Sequence, residues 1–113
     1  MTRSMMAVLG ACLVLPLTSP AAANYFLTSK DLYKMCQGSR RDKGECLGYI
    51  MGVVDHLEAV RSVQKKLPCV KVGVEADKVR DIVVQYMHDN PQERDQAALS
   101  SVVVAVVLAW HCE

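Results

Sequence analysis

The chain has 113 residues, 13 Lys+Arg against 12 Asp+Glu, and five cysteines. That length suits one small domain and excludes a nucleotide-binding domain joined to a substrate domain. The near-neutral balance argues against a nucleic-acid binder, which shows a clustered basic footprint; the only basic runs, Arg40-Arg41 and Lys65-Lys66, read as solvated helix ends.

Residues 1–23 read as an export signal. Arg3 supplies the positive start, residues 5–17 an apolar stretch, and Ala21-Ala22-Ala23 the small residues a signal peptidase requires. The apolar stretch is shorter than the roughly 20 residues of a spanning helix. The mature protein is therefore expected to begin at Asn24, as a single domain over 24–113 with no segment inserted in a membrane. The alternative is a lipoprotein box, Leu9-Gly10-Ala11-Cys12, with Cys12 acylated; too little apolar sequence precedes that cysteine and too much follows it. Cleavage removes Arg3 and leaves a neutral mature chain with four cysteines: Cys36, Cys46, Cys69 and Cys112. An even number in a small exported domain reads as a disulfide framework. Three pairings are possible and the spacings do not choose among them. They also match no zinc motif.

The mature chain is expected to be all-α, with four helices forming two hairpins. The first runs about 29–37, capped by Thr28 or Ser29 with Asp31 in its first turn. Leu32, Met35 and Cys36 share one face, and Gly38 is expected to stop it in a left-handed conformation. Residues 39–44 read as a polar turn. The second helix is expected over 45–67, with Cys46, Tyr49, Ile50, Val53, Leu57, Val60 and Leu67 inward and Glu58, Arg61 and Lys65 outward. Gly48 and Gly52, one turn apart, suggest close approach of a neighbouring helix. Pro68 ends this helix. Val70, Val72 and Val74 are expected to pack down the connector that follows.

The third helix is expected over 76–88, with Val79, Ile82, Val83, Tyr86 and Met87 inward; Asp89-Asn90-Pro91 breaks it. The last is expected over 93–110. Its run from Val102 to Trp110 is apolar all round, so part of that surface is expected to meet a second copy in a homodimer. The β-branched run makes a strand the alternative. The two hairpins favour the pairings Cys36–Cys46 and Cys69–Cys112, because each pair then lies at one end of a hairpin.

Candidate catalytic groups are sparse. Asp55 and His56 are adjacent, so on a helix they point about 100° apart and make no dyad. His88 suits a helix C-terminus, and His111 lacks companion ligands. The cysteines are expected to be oxidised, leaving no thiolate nucleophile. Asp55 reads as a structural carboxylate, paired with a nearby cation or accepting a hydrogen bond from Tyr49 or a neighbouring loop. No catalytic, cofactor or metal site is expected, and the chain does not read as an enzyme.

The assembled pattern is Cys36-x9-Cys46-Leu-Gly-Tyr49-x2-Gly52-x2-Asp55, then Pro68-Cys69, Gly73-Val74, Val83-x2-Tyr86-x4-Pro91 and Trp110-x-Cys112. It resembles the Rap/Tai family of type VI secretion immunity proteins, over about residues 32–112. Tyr49, Gly52 and Asp55 form its central motif. The resemblance implies an all-helical, disulfide-linked, often dimeric periplasmic protein. It implies a peptidoglycan amidase effector as the partner, a papain-like cysteine hydrolase acting on peptide stems and inhibited by occlusion of its cleft. Two features depart from the pattern: Glu75 stands where a Thr or Ser cap is expected, and the last helix is unusually rich in valine. The segment Asp89, Asn90, Gln92, Glu93, Arg94 is the expected contact loop, with residues 71–77 as the alternative. A competing function is a small periplasmic acid-stress chaperone, which the apolar last helix would suit.

Overall fold

Each of the first two helices begins where two polar side chains cap it reciprocally. In the computed structural model, which describes residues 10–14 and 25–112, helix α1 spans Ser29–Gln37, as the sequence predicts. The Asp31 amide donates to Thr28 Oγ1 (3.1 Å), while the Thr28 amide donates to the Asp31 carboxylate (3.1 Å). Two of the helix's otherwise unpaired end groups are satisfied at once. The predicted export signal falls outside the described residues apart from 10–14, where Cys12 is exposed and unpaired.

Helix α2 spans Arg40–Val63 rather than the predicted 45–67. It starts early because Ser39 and Asp42 build a second capping box, so the expected polar turn is mostly helix. It stops early because Lys65 takes a left-handed backbone, φ 57°. Gly38 is not left-handed; its φ is −82°. A glycine is needed there for a different reason: a Cβ would stand 2.8 Å from the Asp42 Cβ and collide with the capping carboxylate. The close approach expected at Gly48 and Gly52 is also absent. Both are exposed, and a Cβ at either meets nothing within 4 Å.

Helix α3 spans Ala76–Asp89. Glu75 precedes it without a side-chain cap. A single 3-10 turn, Pro91–Glu93, follows. Helix α4 spans Ala98–Trp110, starting later than the predicted residue 93. The reason is tertiary. Residues 94–98 run beside the start of α1, where the Ser29 amide donates to the Gln96 carbonyl (2.8 Å) and the Lys30 amide to the Arg94 carbonyl (2.9 Å). The Ala98 amide donates to the Leu27 carbonyl (3.0 Å), and Thr28 and Ala97 form an isolated antiparallel bridge. The valine run is helical, so the alternative strand does not form.

Every pair of the four helices is in contact. Leu32 from α1, Cys46 and Ile50 from α2, Val83 and Met87 from α3, and Val102 and Val106 from α4 are fully or almost fully buried and meet in one core. Inside it the hydroxyls of Ser29 and Ser101 hydrogen-bond to each other, so α1 and α4 are tied by a satisfied polar pair. Both expected disulfides form: Cys36–Cys46 closes α1 on α2, and Cys69–Cys112 closes the α2–α3 connector on the end of α4.

Four expected core positions lie elsewhere. Val60 is exposed and Leu67 is 83% exposed, because α2 ends before the turn that would have carried Leu67 inward. In the connector Val70 and Val74 are half-buried, but Val72 is 97% exposed. Ile82 is only half-buried. Among the described residues no helix is long and apolar enough to cross a membrane.

Candidate partner-binding surface

The α2–α3 connector is held by two residues that helical periodicity assigns to the solvated face. Glu58 turns inward: its carboxylate accepts from the Cys69 amide (3.0 Å) and the Val70 amide (2.8 Å). Arg61 Nε donates to the Leu67 carbonyl (2.9 Å). Charged acceptors of backbone amides make strong hydrogen bonds, so Glu58 positions the chain for the Cys69–Cys112 bond. Nothing in the spacing marks Glu58; the signal is only that a carboxylate precedes a Pro-Cys connector by about three helical turns.

With the connector clamped, the C-terminal end of α2 forms a ridge. Lys66 and Pro68 lie between two open depressions. One, of about 570 Å³, is bounded by Glu58, Ser62, Lys65 and Val70. The other, of about 560 Å³, reaches Lys71, Trp110 and His111. His111 ends α4 in a left-handed conformation, φ 52°.

The expected contact segment at the opposite end of α3 is more tightly held. The Asp89 carboxylate accepts from the Gln85 side-chain amide (2.9 Å) and lies 3.0 Å from His88 Nδ1. These contacts hold its pKa below the ordinary carboxylate value, the His88 hydrogen bond most of all. The Asn90 side-chain amide donates to the Tyr86 carbonyl (2.8 Å). Arg94 is half-buried with its guanidinium 4.8 Å from the Tyr33 ring centroid, within cation–π range. Its Nε is buried without a hydrogen-bond partner. Gln92 and Asp89 are exposed and Glu93 is half-buried. Burial pushes the Tyr86 hydroxyl pKa up, and the Glu93 carboxylate adds to the rise. The structure thus brings Asp89, Asn90, Gln92, Glu93 and Arg94 together, but commits Asn90 and Arg94 to holding their own segment.

The central motif does not converge. Tyr49 is half-buried; burial raises its pKa, partly offset by a hydrogen bond with the Leu99 backbone. Gly52 and Asp55 are exposed, and Asp55 makes none of the ion pairs or hydrogen bonds found among the described residues. The pairing expected for Asp55 is therefore not made, and the residue stands exposed on α2. His56, His88 and His111 are all exposed and lie on different elements. Among the described residues no three His, Cys, Asp or Glu side chains gather to hold a metal ion.

The fold has the helix number and cysteine pairing that the sequence pattern implies, and comparison with known families gives the same answer. The family model for Rap1a immunity proteins matches residues 28–112. No curated protein and no solved structure matches the chain significantly. The matched stretch takes in all four helices and both disulfides, and the chain belongs to the Rap1a immunity protein family.

Proposed function

We propose that this protein acts in the periplasm, where it binds a type VI-secreted peptidoglycan amidase and blocks access to its active-site cleft. The observation that carries the reading is the family match over residues 28–112 together with the two disulfides inside it. Immunity is a binding function, so the protein needs a presented surface rather than catalytic groups. Two disulfides in so small a domain fit an oxidising compartment, in line with the export signal read from residues 1–23.

Steric occlusion requires a projecting element held in place by a stiff scaffold, since ordering a loose loop on binding costs affinity. Of the two segments named from the sequence, residues 71–77 present the more exposed side chains, while Asn90 and Arg94 of the other are already engaged. A homodimer is proposed through α4, whose Leu99, Val104 and Leu108 are exposed. Aliphatic side chains left in water on one helix are a natural candidate for a second copy.

The test is capture on immobilised, oxidised protein comprising residues 24–113, from native extract at neutral pH. A peptidoglycan hydrolase retained stoichiometrically is the expected result. Absence of any hydrolase, with broad capture of unrelated proteins only after acidification, would replace this reading with the acid-stress chaperone.

A further inference from the structure

The mature chain is neutral, but its charge is not evenly spread. Residues 59–74 contain Arg61, Lys65, Lys66 and Lys71 and no carboxylate. Residues 75–113 contain seven carboxylates against three cations. The preceding carboxylate, Glu58, accepts from the Cys69 and Val70 amides, which leaves residues 58–74 with four cations against one carboxylate. Lys65, Lys66 and Lys71 are exposed, and none enters an ion pair among the described residues.

The same end carries the most exposed aliphatic side chains of the helical domain. Val63 is 85% exposed, Leu67 83% and Val72 97%. They alternate with the lysines along the chain, so apolar and cationic side chains are interspersed on one exposed segment. Glu58, the Arg61–Leu67 hydrogen bond and the Cys69–Cys112 bond hold this end in shape. A firmly held segment that exposes aliphatic side chains among cationic ones has the anatomy of a protein interface.

We propose that the C-terminal end of α2 and the connector from Lys65 to Val72 form the effector-docking surface, and that the effector face it meets is acidic and partly apolar. The inference rests on the immunity reading and assigns the contact that reading leaves open. Charge complementarity sets the sign of the partner: lysines that enter no ion pair attract carboxylates, raise the association rate and reject cationic surfaces. Shape favours a protein over a lipid bilayer. The two depressions flanking Lys66 and Pro68 accept projecting side chains, whereas a planar membrane would leave them empty.

The experiment measures affinity for the peptidoglycan hydrolase retained by the wild-type protein, using K65E/K66E/K71E and, as a control with the same change in net charge, R40E/R41E/K43E at the start of α2. Thermal melts verify that both fold. The expected result is at least a tenfold loss of affinity for the first variant, less than twofold for the control, and wild-type affinity that falls with added salt. V72S is expected to weaken binding without altering the salt dependence, separating the apolar contacts from the ionic ones. Equal affinities for the two triple variants would overturn the proposal and leave the immunity reading standing. So would a loss confined to charge reversal at Asp89 and Glu93, which would move the contact to that segment. A wild-type protein that retains no hydrolase overturns the immunity reading first, and this assignment with it. Binding to phosphatidylcholine vesicles containing 30% phosphatidylglycerol, abolished in K65E/K66E/K71E and with no protein retained, would assign the surface to anionic lipid instead.

Discussion

Two kinds of glycine occur at the start of α2 and along its outer face, and they make opposite demands. Gly38 has an ordinary φ of −82°, but its missing Cβ leaves room for the Asp42 carboxylate that caps the helix. Gly38→Ala should displace Asp42 and lose the cap, at about 1 kcal/mol. Gly52 sits in helix with open space where a Cβ would be, so Gly52→Ala should stabilise by about 0.5–1 kcal/mol. Chemical denaturation of the two variants beside wild type checks both signs. A sequence shows that both positions are glycine and that each has a helical neighbourhood. It does not show which one faces a carboxylate, and the close approach expected at Gly48 and Gly52 fails for that reason. Glu58 and Asp55 illustrate the same limit. Both are carboxylates on one helix, yet Glu58 clamps the connector while Asp55 remains in solvent.

At the scale of elements, helix α1 is legible because its signals are local: Thr28 and Asp31 at capping spacing, an apolar face, and a polar break at Gly38-Ser39. The early start of α2 uses the same Ser-x-x-Asp signal, hidden by Gly44 and the run of charges that make residues 39–44 resemble a turn. The late start of α4 is not local. Residues 94–98 pair with the entry to α1, and no periodicity in the last segment reports that pairing. The disulfide pairing is legible once the hairpins are: Cys36–Cys46 ties α1 to α2, and Cys69–Cys112 ties the connector before α3 to the end of α4.

The capping carboxylates give a pH prediction. Hydrogen bonds from Thr28 hold Asp31 below its ordinary pKa, and those from Ser39 do the same for Asp42. A carboxylate with a depressed folded-state pKa contributes stability above its unfolded pKa and loses it as pH falls through the folded value. Stability should therefore be level near neutrality and decline below about pH 4. D42N should show a shallower acid limb in urea titrations, and an unchanged limb would contradict the assignment.

The two disulfides should also differ. Cys69–Cys112 closes a sequence separation of 43 and Cys36–Cys46 one of 10. Loop-closure entropy then gives about 4 kcal/mol for the first and about 3 kcal/mol for the second. Paired Cys→Ser variants should melt in that order. Removal of Cys69–Cys112 should additionally weaken partner binding, because that bond fastens the connector to α4. Equal binding with the bond present or absent would separate the connector from recognition.

Across the whole molecule, the chain divides into a cationic, apolar end and an acidic remainder, on a core shared by helices α1 to α4. The family and its cysteine frame are legible from motifs spread over the sequence. The proposed docking surface is not, because exposure at Val63, Leu67 and Val72 depends on where α2 ends and on how Glu58 holds the connector. Under the proposed function, presentation of a held surface is what ties this fold to immunity.

The most direct test is inhibition. Purified peptidoglycan is digested by the hydrolase retained on the protein, release of new amino groups is followed, and oxidised protein of residues 24–113 is titrated in. Inhibition is expected to saturate at a fixed stoichiometric ratio and to be lost in K65E/K66E/K71E. A hydrolase that binds yet cleaves at its full rate would contradict occlusion as the basis of immunity.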